Sequence, residues 1–298
     1  MPEQLFPPLR DDRQAVEAWL DDLVTENRFT IAVVFPLVGA VSLYASAMGW
    51  LPDPLAFNPW FILAGVLVMR LPLVAGLAPL FDRRAALAIG ALTVYAFGIE
   101  LLGVTTGWPY GAFEYGIDLG PMLLDKVPIG LPAFFFPLVL NSYLLGLLLL
   151  GDRARSPAIR LPAVVGLVIA MDLVLDPAAV SLGFWTYDAG GIYYGVPWSN
   201  YAGWVLSATI SVGLFDLAFD GDSLLARLQT CAFMLDDLVS FVILWGAINA
   251  AFGNWLPLLL AGGFGAGLLA TDRFDFDVRE TIPGVGWLSA RAGSDRRG

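Results

Sequence analysis

The chain has 298 residues, 58% of them hydrophobic and 14% charged, with a mean hydropathy of +0.72. A soluble domain has about a quarter charged residues, so this composition indicates a membrane protein. The net charge of −11 argues against a nucleic-acid partner, and the absence of His together with a single Cys, Cys231, excludes the usual zinc, iron–sulfur, His-ligated haem and His-rich di-iron sites.

The predicted elements begin with an amphipathic cytoplasmic segment, residues 1–29, which lacks the features of a cleaved signal peptide. Eight segments then approach the roughly twenty residues that cross a bilayer. They are residues 30–49, 59–80, 85–107, 128–150, 161–177, 201–219, 229–252 and 256–271. The last is the weakest, so seven crossings are an alternative. The sequence therefore predicts an all-α polytopic bundle, with a catalytic domain over residues 30–271 and a cytoplasmic tail over residues 272–298.

Basic residues predict the orientation, because Lys and Arg prefer the cytoplasmic side. With the N-terminus inside and eight crossings, all but two of the 16 basic residues fall inside. The exceptions are Arg70, within the second segment, and Lys126, at an outer helix start. Lys126 is the only Lys and lies at a helix boundary, which argues against a retinal protein. Both termini are predicted to be cytoplasmic, and the acidic, Lys-poor surface suits concentrated salt.

An internal repeat links two parts of the chain at an offset of 72 residues. Residues 98–115 align with residues 170–187, so Glu100 meets Asp172. Two aromatic pairs also match, Phe113 with Trp185 and Tyr115 with Tyr187. Chance similarity between apolar helices is the alternative. Two helices per copy preserve orientation, so the pattern predicts a parallel helical-hairpin repeat with both carboxyl groups at equivalent depth.

Three carboxyl groups near the outer helix ends are the catalytic candidates: Glu100, Asp172 and Asp176. Asp176 follows Asp172 by four residues and so lies on the same helical face. A carboxylate in a lipid-crossing helix costs about 2.5–3.5 kcal/mol unless it faces the bundle interior or water. The alternatives are structural: Asp176 precedes Pro177 and marks a helix end, or Glu100 is a hydrogen-bonding group.

The outer loops, residues 108–127 and 178–200, interleave aromatic residues with glycines. An interfacial aromatic belt is one explanation. Alternatively, the glycines let the loops fold over the helix ends as a lid, so that aromatic rings and carboxyl groups share one apolar cavity. The predicted cavity-shaping residues are Phe113, Tyr115, Trp185 and Tyr187, and Tyr110, Tyr194 and Asn200 are candidates to hold water or a hydroxyl group.

Such a cavity suits the hydration of an alkene. A carboxyl group in a water-poor site retains its proton and can donate it to a C=C bond. Aromatic faces stabilise the resulting cation by about 0.5–2 kcal/mol each. A second carboxylate then accepts a proton from the attacking water. This chemistry needs neither a metal nor another cofactor, and either Glu100 or Asp172 can be the acid.

Two motifs resemble those of the membrane carotenoid biosynthesis hydratases. The first is E-x-x-G-x-x-T-G-x-P-[YF]-G-x-[FY]-x-Y-x-x-x-L-G, read from Glu100 to Gly120, and the second is DLVLDPAAVSLGFWTYDAGGIYYGVPWSNYAGW, from Asp172 to Trp204. Thr106 and Asp118 belong to the first motif and complete the set of substrate-binding candidates. The resemblance implies a C50 carotenoid substrate, a lipid bilayer as surroundings, and association with other carotenoid biosynthesis enzymes.

Three other classes remain open at this point. A membrane-type lycopene cyclase also starts by protonating an alkene, and differs only in the fate of the cation. A magnesium-dependent prenyltransferase would use the carboxylates of Asp172 and Asp176, although Lys126 is the single basic residue on the outer face to meet a diphosphate. A transporter would use intramembrane carboxylates to relay protons.

Overall fold

The computed structural model describes residues 13–273. Its α-helices are α1 (Arg13–Phe29), α2 (Phe35–Ala47), α3 (Pro59–Leu77), α4 (Arg83–Thr106), α5 (Leu131–Leu150), α6 (Pro157–Leu182), α7 (Trp198–Ala218), α8 (Gly221–Thr230), α9 (Asp236–Phe252) and α10 (Trp255–Ala270). Its short strands are β1 (Phe113–Tyr115), β2 (Met122–Leu123), β3 (Val127–Pro128) and β4 (Trp185–Tyr187). The predicted all-α polytopic membrane bundle is confirmed.

The number of helices that can span a bilayer by length and composition is six within residues 13–273. Both α9, with 17 residues, and α10, with 16, are shorter, and at about 1.5 Å per residue each measures about 24–26 Å. The predicted segment 229–252 is interrupted, because α8 ends at Thr230 and α9 begins only at Asp236. The first span is longer than predicted: α1 continues through a π-helical turn, Thr30–Val34, into α2.

Helix α6 is the centre of the bundle, and it packs against α5, α7, α9 and α10. It continues through Pro177 to Leu182, five residues beyond the predicted end. A proline inside a helix leaves the carbonyl four residues earlier without its N–H donor. Here the Tyr193 hydroxyl donates to that carbonyl, Leu173 O, at 3.1 Å. Asp176 therefore lies inside a continuous helix rather than at its end.

The two aromatic loops meet as paired strands. Strands β1 and β4 are antiparallel, with Glu114 opposite Thr186 at the centre of the register. The flanking bonds run from Gly116 N to Phe184 O and from Asp188 N to Ala112 O, both at 3.0 Å. The repeat offset of 72 relates these two bonds. Position 116 plus 72 is position 188, and position 184 minus 72 is position 112, so each bond is the equivalent of the other. The strand pair thus has the register of a local two-fold relation between the copies.

Helix packing follows the same relation. The first hairpin of the repeat consists of α4 and α5, and the second consists of α6 and α7. Helix α4 packs on α7 and α5 packs on α6, so the first helix of each hairpin contacts the second helix of the other. Residues near the ends of α4 and α6 consequently line one cavity beneath the β1–β4 pair. Burial on all sides at this end of α6 reflects contact with α9 and α10 as well as with the repeat.

Candidate active site

A cavity of about 120 Å³ lies beneath the β1–β4 strand pair. All three predicted carboxyl groups line it: Glu100 from α4, and Asp172 and Asp176 from α6. The other predicted residues in its wall are Tyr110, Phe113, Tyr115, Trp185, Tyr187 and Asn200. The repeat therefore brings together residues that are 72 or more positions apart in the chain.

Glu100 accepts a hydrogen bond from a tyrosine in the strand above it. The Tyr115 hydroxyl donates to Glu100 Oε1. Burial, and then the proximity of Glu100, raises the pKa of the Tyr115 phenol above its ordinary range. The phenol therefore keeps its proton at physiological pH and remains a hydrogen-bond donor. Phe113 packs edge-on against Tyr115, with ring centroids 5.7 Å apart, which holds the phenol over the carboxyl group.

The two aspartates of α6 share one amide. Asn200 Nδ2 donates to Asp172 Oδ2 at 2.8 Å and to Asp176 Oδ2 at 2.5 Å. The Tyr187 hydroxyl donates to Asp176 Oδ2 at 3.1 Å. Burial, followed by the nearby Asp176 and Asp172, raises the pKa of the Tyr187 phenol well above its ordinary range, so this phenol also stays a donor.

The remaining oxygen of Asp172 has no such partner. Asp172 is fully buried, and its Oδ1 accepts no hydrogen bond from the described residues. The carboxyl groups of Asp172 and Asp176 are held close together by Asn200, which donates to one oxygen of each. The second oxygen of Asp172 is therefore the buried oxygen of this pair that no described donor occupies.

A chain of hydroxyl groups approaches the cavity from the interface between α4 and α7. Tyr110 Oη and Tyr95 Oη lie 2.7 Å and 3.0 Å from Ser207 Oγ. The Tyr110 ring is set by Gly203, where an added Cβ would lie only 2.4 Å from the ring. Glycine is therefore needed at 203 for the Tyr110 side chain to occupy this position.

Several aromatic residues in the wall were not predicted from the sequence. Trp204 stacks on Phe135 with centroids 5.1 Å apart, and Trp245 contacts Phe184 edge-on at 6.4 Å. Trp204 follows Asn200 by four residues, so helical spacing puts both on the same face of α7. This spacing was a signal in the sequence that Trp204 lines the cavity. Phe135 and Trp245 lie in apolar helices, where an aromatic residue has no feature that separates a cavity wall from ordinary core.

Three predicted binding residues do not line the cavity. The Thr106 hydroxyl accepts from Trp108 N at 3.1 Å and closes the end of α4. Asp118 Oδ1 accepts from Gly120 N at 2.8 Å in an exposed turn. Tyr194 lies in a left-handed backbone conformation with φ of 51°, and its hydroxyl accepts from Leu256 N at 3.3 Å. Their motif positions are explained by turns and helix ends.

The cavity combines carboxyl groups with aromatic faces and lacks positive charge. Among the described residues, its lining contains no Lys or Arg. Glu100, Asp172 and Asp176 are instead bonded by phenol and amide donors. A carboxylic acid in such surroundings can deliver a proton to an apolar substrate, and the aromatic rings can face the positive charge that follows.

The fold and the site together define an integral membrane protein with three carboxyl groups in an apolar, aromatic-lined cavity. A family model described as carotenoid biosynthesis protein matches residues 57–268. The chain belongs to this family. It is 64% identical to bisanhydrobacterioruberin hydratase of Haloarcula japonica over 273 residues, which cover 92% of this chain and 93% of that protein. No solved structure matches the chain.

Proposed function

We propose that the protein is a carotenoid hydratase, a hydro-lyase that adds water to the terminal isoprenoid double bonds of a C50 carotenoid and converts bisanhydrobacterioruberin to bacterioruberin. The observation that carries this proposal is the placement of three carboxyl groups in one aromatic cavity. The name of the Haloarcula relative supports the reaction and the substrate. The chain's low Lys content and net charge of −11 fit the same halophilic setting.

The reaction needs one acid and one base. A protonated carboxyl group donates its proton to the less substituted carbon of the terminal double bond, whose π electrons form the new C–H bond. The tertiary cation that remains is stabilised by aromatic faces such as those of Trp185 and Phe113. Water adds to the cation through its oxygen, and a second carboxylate accepts the proton that water loses. The net change is the addition of one water per double bond.

Glu100 and Asp172 are the proposed acid–base pair, and Asp176 is the third carboxyl group of the site. In the proposed reaction, Asn200 holds both aspartates through its two N–H bonds, Tyr110 orients water or the product hydroxyl group, and Tyr115 shapes the cavity beside Glu100. Tyr187 has the equivalent place on the aspartate side.

The proposed setting is a multi-pass cell-membrane protein whose termini are cytoplasmic. Residues 30–271 form the transmembrane catalytic domain in this proposal, between a cytoplasmic N-terminal segment and a cytoplasmic tail. The positive-inside bias supports that orientation, and with it a cavity toward the outer face. The substrate reaches the protein through the bilayer, and association with other carotenoid biosynthesis enzymes would supply it.

Pigment extraction from a strain that lacks this protein tests the proposal against its nearest rival. We expect the dehydrated C50 precursor to accumulate, and bacterioruberin to return when the wild-type chain is restored. Accumulation of uncyclised lycopene would contradict the proposal and indicate a cyclase. Loss of all C50 carotenoids from that strain, together with magnesium-dependent formation of C50 carotenoids by the purified protein in vitro, would indicate a prenyltransferase.

A further inference from the structure

A second concavity lies between α3 and α5, on the outer surface of the bundle. Its volume is about 540 Å³. We call it the α3–α5 groove, and its lining includes Trp60, Leu67, Arg70, Val74, Leu77 and Leu119. Leu67 and Val74 are 51% and 54% exposed, so the groove faces the surrounding lipid.

The groove adjoins the carboxyl cavity at one end. Leu119 lines both spaces, and the residues that lead into α5 and form its first turns are divided between them. Pro128 and Leu131 face the cavity, whereas Ile129 and Gly130 face the groove. The first turns of α5 are therefore the wall between the two spaces, and the rim at Leu119 is the point where they meet.

The chemistry of the groove fits an extended hydrocarbon. Among the described residues that line it, Arg70 alone carries a charge. That guanidinium is bonded to the carboxylate of Asp237 and donates to Ala133 O at 3.0 Å, so its charge is compensated within the protein. Between Trp60 and Leu77, α3 extends for about 25 Å. The groove is thus long, apolar and directed across the membrane.

We propose that the α3–α5 groove binds the polyene chain of the carotenoid while one terminal isoprenoid unit enters the carboxyl cavity past Leu119. This assignment rests on the proposed hydratase function. Lipid tails are as apolar as the groove, so the benefit is not the removal of hydrocarbon from water. The groove instead fixes the direction from which the double bond reaches the carboxyl groups, and such orientation is a large part of catalytic rate.

One consequence concerns a substrate with two equivalent ends. While one end lies in the cavity, the polyene leads the other end away along α3, toward Leu77 at the far end of the groove. The second hydration therefore requires the molecule to leave and return reversed. A singly hydrated carotenoid is expected to accumulate transiently outside the enzyme.

Tryptophan substitutions test the assignment. Leu67→Trp and Val74→Trp fill the groove from its lipid-facing side. The matched controls are Leu87→Trp and Val94→Trp on α4, at positions that are 68% and 75% exposed and line neither space. Each purified variant is assayed with the dehydrated C50 carotenoid and with a ten-carbon isoprenoid that carries the same terminal double bond but no polyene.

We expect the two groove variants to lose about tenfold to a hundredfold in kcat/KM on the C50 carotenoid, since a displaced end group is misaligned with the carboxyl groups. Hydration of the ten-carbon compound, and the thermal midpoint of each variant in detergent, should match those of the controls. A Leu67→Ala variant, which widens the groove, should retain activity on both substrates and show that loss of the leucine is not the cause.

Four outcomes would overturn the assignment, and the last of them would also overturn the proposed function. Wild-type kinetics of the groove variants on the C50 carotenoid would show that the polyene lies elsewhere. Equal losses on both substrates would place the effect in the cavity. Loss of co-purified phospholipid from the groove variants, with unchanged hydration, would assign the groove to a lipid acyl chain. Hydration of neither substrate by the wild type would instead contradict the proposed function, and the groove assignment with it.

Discussion

The two ends of this bundle hold buried or half-buried carboxyl groups in different chemical surroundings. At the cavity end, the partners are phenols and an amide; these cavity carboxyls are Glu100, Asp172 and Asp176. Toward the other end, each carboxyl group has a guanidinium partner, and two of them also accept from Tyr143 or Asn141; these ion-paired carboxyls are Asp216, Asp236 and Asp237. The charges of Asp236 and Asp237 are thus neutralised by Arg28 and Arg70, and that of Asp216 by Arg160, at 2.6 Å.

The difference shows that burial alone does not define a reactive carboxyl group. Asp237 and Asp172 are equally inaccessible to solvent, at 0%. An arginine neighbour favours the charged form of a carboxylate and makes it part of the framework, whereas neutral donors alone leave a carboxyl group free to gain and lose a proton. The presence or absence of an arginine partner therefore separates the proposed catalytic groups from the structural ones.

The largest expected effect is loss of chemistry at the cavity carboxyls. Glu100→Gln and Asp172→Asn should each lower hydration by about 10²–10⁴-fold, because each removes a group that transfers a proton. Both should keep a thermal midpoint close to that of the wild type. Glu114→Gln, at an exposed position in the same strand pair, is the matched control and should be fully active. Normal turnover by either cavity variant would remove that residue from the proposed pair.

An ion-paired carboxyl should behave in the reverse manner. Asp237→Asn leaves Arg70 buried without its counter-charge, which is expected to cost about 3–5 kcal/mol of folding free energy. Activity per folded molecule should be retained. Asp152→Asn, whose exposed contact with Arg155 measures 3.7 Å, should cost at most about 0.5 kcal/mol. Thermal unfolding in detergent measures both; equal stability of the two variants would contradict a structural role for Asp237.

A smaller effect is expected from the strands that cover the cavity. At Gly116, an added Cβ would lie 2.3 Å from Gly183 O, so Gly116→Ala must shift the β1–β4 pair. We expect a cost of about 1–3 kcal/mol and reduced hydration. Gly98→Ala in α4 meets no heavy atom within 4 Å and should be neutral or up to about 1 kcal/mol more stable. Wild-type activity of Gly116→Ala would show that the strand pair does not position the site.

The sequence was sufficient to predict the membrane bundle and to predict which carboxyl and aromatic residues line one cavity. The reasons can be named. Carboxyl groups in apolar helices are costly, so Glu100 and Asp172 were conspicuous, and the repeat indicated that they belong at one depth. The repeat matched Phe113 with Trp185 as equivalent positions, whereas the pairing of Phe113 with Tyr187 across β1 and β4 is seen only in the structure. The catalytic roles of these residues stay a prediction.

Other features depended on contacts between distant segments. The continuation of α6 through Pro177 relies on a hydroxyl donor from Tyr193, which helix propensity does not reveal. The break before α9 coincides with Asp236, whose carboxylate binds Arg28, 208 positions away. Trp245 reaches the cavity because α9 packs on α6. Apolar periodicity is weak in helices that are hydrophobic on every face, so it could not show which side forms the cavity wall.

Isotope incorporation tests the central claim, acid–base addition of water in the cavity, most directly. The purified protein is incubated with the dehydrated C50 carotenoid in oxygen-18 water, and the molecular mass of the product is measured by mass spectrometry. We predict that the product gains two mass units for each hydroxyl group formed. The control reaction, in ordinary water under oxygen-18 dioxygen, should give no gain. Incorporation of label from dioxygen, or an unlabelled product in oxygen-18 water, would contradict hydration.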